Sequence, residues 1–344
     1  KEGLLERDCD RLIRNDRVVW GTCMVSCGDA DAMVTATTTF TTTPNQANLE
    51  NLRAAWETAY LSFQNVSMFE IGKAEEERYR NRLNVYPTNT TEIEDFIASG
   101  SYDLSLPSTI DAQGFPALDY LIYGAANTDT DIIALYSTNA NADNYKQYLN
   151  ELSQTIATLT DIVLTDWQTN FRDTFVANTS SSSTGSVDKL ANDYILYYEK
   201  GLRAGKIGIP AGNFSNETLP ENVEGFYRKD LSKALFNASL TATQNFFEGK
   251  HFNSNTEGES FKSYLNFLNT IKNGDDLSTL IVNQFEASRT QGNLLNDDFT
   301  QQIETDNSVM LLTFDELQRN VILLKVDMLQ ALDINVDFVD TDGD

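Results

Sequence analysis

Apolar residues recurring at helical spacing constrain this chain more than any other feature. In QANLENLRAAWETAYLSFQNVSMF (46–69), Leu49, Leu52, Trp56, Tyr60, Phe63 and Phe69 fall mostly three or four residues apart. On a helix that spacing gathers them into one stripe with a polar back. Pro44 and Asn45 lie just upstream, where a helix starts, and Gly72 is the expected stop. The same period returns in NADNYKQYLNELSQTIATLTDIVLTDWQTNF (141–171), SVDKLANDYILYYEKGLRAG (186–205) and RKDLSKALFNASLTATQNFFEG (228–249). It returns again in ESFKSYLNFLNTI (259–271), DLSTLIVNQFEASRT (276–290) and TFDELQRNVILLKVDMLQAL (313–332). In TNTTEIEDFIASG (88–100) a threonine followed by acids reads as an N-cap and Gly100 as a C-cap. SYDLSLPSTIDAQ (101–113) reads as a loop. No set of alternating strands appears, so the expected fold is all-α.

The Ser-rich stretch TSSSSTGS (179–186) is the most linker-like segment. On either side of it stand two similar octapeptides, YKQYLNEL (145–152) and FKSYLNFL (261–268). They suggest two side-by-side helical bundles, 31–178 and 187–336, as a duplicated four-helix-bundle-like unit, with an acidic tail at 337–344. Residues 1–30 are atypical. They hold all three cysteines, Cys9, Cys23 and Cys27, and carry five Lys or Arg against six Asp or Glu, whereas the remainder carries 20 against 45. Zinc held by these thiols is disfavoured, since their spacing is irregular and a fourth ligand is missing.

The formal net charge is -26. That excludes nucleic acid as a partner, because phosphate contacts need clustered cations, and it argues against docking on an anionic membrane through a basic patch. No apolar run is long enough to cross a bilayer. The N-terminal residues KEGLLERDCDRLIRNDRVVW lack the apolar core of a signal peptide.

GFPALDYLIYG (114–124) poses the functional question. A proline suits the first turn of a helix, so a helix is expected to start at or near Pro116 with Asp119 in its first turn. There the exposed N–H groups favour a carboxylate.

With its flanks, DAQGFPALDYLIYG resembles the imelysin-like family, as do AAWETAYLSFQNVSMFEIG (54–72) and GLRAGKIGIPAG (201–212). The resemblance covers roughly residues 31–340 and is closest to a branch of lipoproteins from Bacteroidetes-type bacteria. It implies two packed helical bundles with a site where they meet. It also implies a place in the bacterial cell envelope, in the periplasm or at the outer membrane, a link to iron uptake, and in some members metalloprotease activity. The family's Gly-x-His-x-x-Glu motif maps to Gly114, Pro116 and Asp119. Proline stands at the histidine position and the acid is one methylene shorter. Histidine and a carboxylate three residues apart share a helix face and can grip one metal ion, whereas a proline nitrogen has no lone pair to give.

The ligand-binding candidates are therefore Gly114, Pro116, Asp119 and Tyr120, with Trp56 and Tyr60 on the first stripe and Arg203 and Lys206 in GLRAGKIGIPAG. Tyr120 and Tyr123 are core or rim aromatics, although a phenol can also ligate ferric iron. Trp56 and Tyr60 suit the core. Arg203 and Lys206 either complete a solvated helix end or face an anion, or pair with carboxylates such as Asp119. The lone histidine, His251, has no recognisable catalytic partner, and no serine-hydrolase or P-loop motif is present. Asp340, Asp342 and Asp344 alternate loosely like the opening of a calcium loop that is never finished. The leading expectation is a non-catalytic binding protein with no catalytic residue. Its cargo is a small ligand, iron or a peptide; iron is the possible metal and zinc the disfavoured one. The alternatives are a metal-dependent peptidase and a scaffold that binds a peptide or protein between the bundles.

Overall fold

The computed structural model describes the backbone of residues 16–337 apart from 181, 216 and 255, with side chains from Ser26 onward. Asp340, Asp342, Asp344 and Cys9 lie outside the described residues, as does the side chain of Cys23. The fold is all-α. Two antiparallel two-residue strands, β1 (Ile271–Lys272) and β2 (Asp275–Asp276), form the one sheet among the described residues.

The first long helix, α1 (Asp16–Thr42), ends in a threonine-rich run. Threonine is β-branched and a weak helix former. Here Thr37 and Thr41 donate their hydroxyls back to the carbonyls of Met33 and Thr37, at 2.8 and 3.0 Å. The run is held by the burial of Met33 and Phe40 between α2 (Gln46–Phe63) and the long helix of 142–166. Packing thus overrides propensity, and α1 crosses residues 30 and 31 without a break. α2 starts where expected, its N-cap Asn45 accepting from the Asn48 N–H at 2.9 Å. It stops at Phe63, well short of Gly72. Leu49, Leu52, Trp56, Tyr60 and Phe63 are buried as one face.

α3 (Thr90–Ser99) is capped by Asn89, which accepts from the Glu92 N–H at 3.1 Å, in place of the expected threonine. Gly100 ends it in the left-handed region, as its position suggests. The expected loop before the motif contains a 3₁₀ turn, Pro107–Ala112. α4 (Gly114–Asp119) carries the motif, and α5 (Ala142–Asp166) spans the first half. α6 (Ser186–Leu196) runs without interruption into a π-wound stretch, Tyr197–Gly208. α7 (Ser232–Glu248), α8 (Leu277–Gly292) and α9 (Ser308–Ile322) complete the second half, and α9 continues as a second π stretch, Leu323–Met328.

Two apolar cores result. One is built around Phe40, Trp56, Tyr60, Phe115, Tyr148 and Leu152, the other around Tyr194, Tyr198, Phe236, Phe247, Phe285 and Leu324. The cores exchange residues across the Ser-rich stretch. Trp167 and Phe175 join the second core, and Leu231 and Leu235 join the first. The two octapeptides sit on helices of unlike length, 25 residues for α5 and seven for Phe261–Phe267.

The seam between the cores is polar. At one place the Arg80 N–H donates to both oxygens of Glu70, at 2.9 and 3.2 Å, and its guanidinium to Asp193 on α6 at 3.0 Å. Burial pushes the Glu70 carboxyl up to about 7, against the lowering effect of Arg80.

Candidate functional site

Gly114 is fixed by its backbone. Its φ is +80°, a region that favours glycine, and a Cβ there would meet the Leu83 carbonyl oxygen at 2.3 Å. The helix consequently begins at Gly114, two residues earlier than Pro116 suggests. Pro116 falls within the first turn, where no N–H is required. All of Gly114–Asp119 is buried. The Tyr60 ring stacks on Phe115 at 4.6 Å with its plane 4° off parallel, and the Trp56 indole donates to the Phe115 carbonyl at 3.2 Å.

Asp119 does not cap its own helix, as its expected place in the first turn would have it. It is the last α residue, followed by a π turn at Tyr120–Gly124, and its oxygens accept from the N–H groups of Tyr227 and Arg228, both at 2.9 Å. Burial pushes its carboxyl up to about 7, opposed by those two N–H bonds and the Arg228 charge. Asp119 is therefore a clamp that holds the 223–231 loop against the motif helix. Tyr120 turns elsewhere, donating to Glu94 at 2.8 Å.

That loop carries Glu224, and Glu224 is the centre of a buried polar cluster on the seam. Lys206, from the π-wound stretch, ion-pairs with one Glu224 oxygen. The other oxygen accepts from Asn84 at 2.7 Å and Gln64 at 3.3 Å. Gln64 Oε1 accepts from Lys206 at 2.9 Å and from Ser239 of α7 at 2.7 Å. Tyr60 closes the ring by donating to Asn84 at 2.5 Å. Burial and then the Glu224 charge push the Tyr60 and Tyr86 phenols well above their usual range.

Of the roles expected for Arg203 and Lys206, pairing with carboxylates is the one found, with Glu199 and Glu224 in place of Asp119, and both side chains are buried, at 1% and 3% exposure. A solvated helix end is excluded because the helix continues through them. Arg203 belongs to a separate cluster with Glu199 at 3.7 Å and Gln318, its guanidinium over Phe314. Lys325 from the second π stretch reaches the same Glu199 at 2.9 Å. Stretches of π winding are rare and gather at functional sites. Of the sequence candidates, Tyr60 and Lys206 thus meet in one cluster, with Trp56, Gly114 and Asp119 supporting it from behind.

Gln64, Asn84, Glu224 and Ser239 were not read from the sequence. One signal pointed to Gln64: it lies four residues after Tyr60 on the α2 stripe, a polar group where an apolar one is expected. Glu224 gave none, being one acid among 51.

A resident catalytic metal does not fit the motif. Pro116 offers no donor atom, both Asp119 oxygens are engaged by backbone N–H groups, and the Glu224 oxygens are engaged by Lys206, Asn84 and Gln64. Among the described residues no three His, Cys, Asp or Glu side chains gather as ligands.

The model of one protein family, Imelysin, matches residues 26–319. The chain belongs to the imelysin family. An imelysin-like protein from Psychrobacter arcticum 273-4 has the same fold, with a TM-score of 0.75 at 15% identity over 97% of this chain and 98% of that one. A protein of Parabacteroides distasonis ATCC 8503, described as an iron-regulated protein A precursor, superposes with a TM-score of 0.73 at 16% identity, over 94% and 95% of the two chains. At such identities the likeness establishes the imelysin fold and no activity. A 38-residue stretch, 11% of this chain, is 45% identical to a Rickettsia prowazekii (strain Madrid E) protein described as an NADP-dependent malic enzyme, and spans 5% of that protein. That match is too short to carry an argument about chemistry.

Proposed function

We propose that this imelysin-family chain is a non-catalytic binding protein of the bacterial cell envelope, a lipoprotein of the periplasm or outer membrane that serves iron uptake. Its ligand site is the polar seam around Lys206, Glu224, Gln64 and Tyr60, and iron is cargo that arrives complexed, its ligands supplied by the complexing molecule because the oxygens of the seam are already engaged. The observation that carries this reading is the donor atom missing at Pro116, with the remaining carboxylates already engaged. The iron link is supported by the fold shared with a protein described as iron-regulated.

Calorimetric titration with ferrous iron, ferric iron and haem tests the cargo. Saturable binding of at least one is expected, weakened by Glu224→Gln, and no binding of any removes the direct iron role. The peptidase reading predicts zinc-dependent cleavage of protein substrates that Asp119→Ala abolishes, and such cleavage would overturn the proposal.

A further inference from the structure

A second feature of the seam goes beyond the iron reading and does not rest on it. Directly after Gln64 along the chain, and one to two turns past Ser239 on α7, lies a cavity of about 830 Å³. Ligand pockets for small organic molecules typically fall between about 300 and 1,000 Å³. Its walls come from both halves: Asn65 and Phe69 from the first, Asn245 and Phe246 from α7, and His251 and Phe252 from the segment that follows.

Three properties of the lining narrow the ligand. Phe252 is part-exposed, so an aromatic body has a ring to stack on, whereas Phe246 beside it already packs against Phe69, Tyr194 and Phe261. The charged groups at the rim are already neutralised, Lys250 by Glu248 at 2.5 Å and Glu257 by Lys262 at 3.8 Å. In a chain of formal charge -26, a lining without surplus cations does not select an anion. Finally, Nε2 of His251 is out of reach of water and has no hydrogen-bond partner among the described residues. Leaving such a group unsatisfied costs about 1–3 kcal/mol, which a bound polar edge would recover. His251 lines the cavity together with Asn65 and Asn245, so a turn of the imidazole toward the cavity is what a ligand would require to reach that nitrogen.

We infer that this cavity is a binding site for an uncharged planar heteroaromatic ring system, of the nucleobase or isoalloxazine class, stacked on Phe252 with its polar edge toward His251. The site is separate from the motif: none of its lining residues belongs to Gly114–Asp119 or to the Glu224 cluster.

Calorimetry on the full chain with riboflavin and adenosine as probes, and maltotriose as a non-aromatic neutral control, tests this. The expected result is saturable binding of at least one aromatic probe and none of maltotriose. His251→Ala and Phe252→Ala should each weaken binding about tenfold or more, equivalent to roughly 1.4 kcal/mol. Circular dichroism and thermal unfolding of each variant separate lost binding from lost folding, and the part-exposed Phe252 supplies the readout if His251→Ala folds poorly. Absence of binding by both probes at millimolar concentration would overturn the inference. So would equal affinity in the folded variants, or binding of maltotriose alone.

Discussion

A carboxylate sealed from water must find donors, an opposite charge or a proton. Asp119 finds backbone donors and a high proton affinity, and Glu224 finds the Lys206 ammonium. Removing one partner of a buried pair leaves the other charge uncompensated, which typically costs about 3–5 kcal/mol. Lys206→Met should therefore destabilise the protein by that order in urea titrations. Adding Glu224→Gln to it should recover much of the loss; if the double variant is as unstable as the single one, the pair is not coupled. Gly114→Ala forces a side chain into a left-handed backbone and against the Leu83 carbonyl. At least about 1–2 kcal/mol of destabilisation is expected from the backbone alone, and more from the clash. A neutral result by chemical denaturation would contradict the geometry.

Helix α2 illustrates what an element owes to its sequence and what it owes to its neighbours. Its start is local, set by Asn45, so Asn45→Ala should cost roughly 1 kcal/mol of unfolding free energy. Asn89→Ala at the head of α3 should cost a similar amount, and two unchanged unfolding midpoints would refute the capping assignments. The apolar stripes were legible because amphipathic helices betray themselves by period. The Thr-rich end of α1 was not legible, since its residues favour other conformations and only burial between α2 and α5 makes them helical. The motif helix is legible in place, but the role of its acid is not. No local pattern reveals that Asp119 meets the N–H groups of residues more than a hundred positions away. Lys206 stands out in the sequence as a charge between glycines, whereas its partner Glu224 is brought to it only by the tertiary fold.

Across the whole molecule, protons and stability are linked. The folded chain keeps protons on Asp119 and Glu70 up to about pH 7, whereas the unfolded chain releases them near 3.8 and 4.5. Between those limits the native state binds more protons, so these groups make stability fall as pH rises from about 4 to about 7. Self-repulsion in a chain of formal charge -26 acts in the same direction over that range. Urea midpoints measured from pH 4 to 8 should decline through this window, and Asp119→Asn together with Glu70→Gln should flatten the decline. A midpoint that climbs with pH in the wild type and not in the variants would show that both carboxyls are ionised throughout.

The winding of Tyr197–Gly208 has a consequence of its own. A π-wound stretch fits more residues into each turn than its α-helical flanks, so this segment harbours a surplus residue. Were the same residues wound as an α-helix throughout, everything beyond the surplus one would swing by about 100°. Lys206 would then face away from Glu224 although its identity and its neighbours in the chain were untouched. The ammonium's address is written in the pitch of the coil.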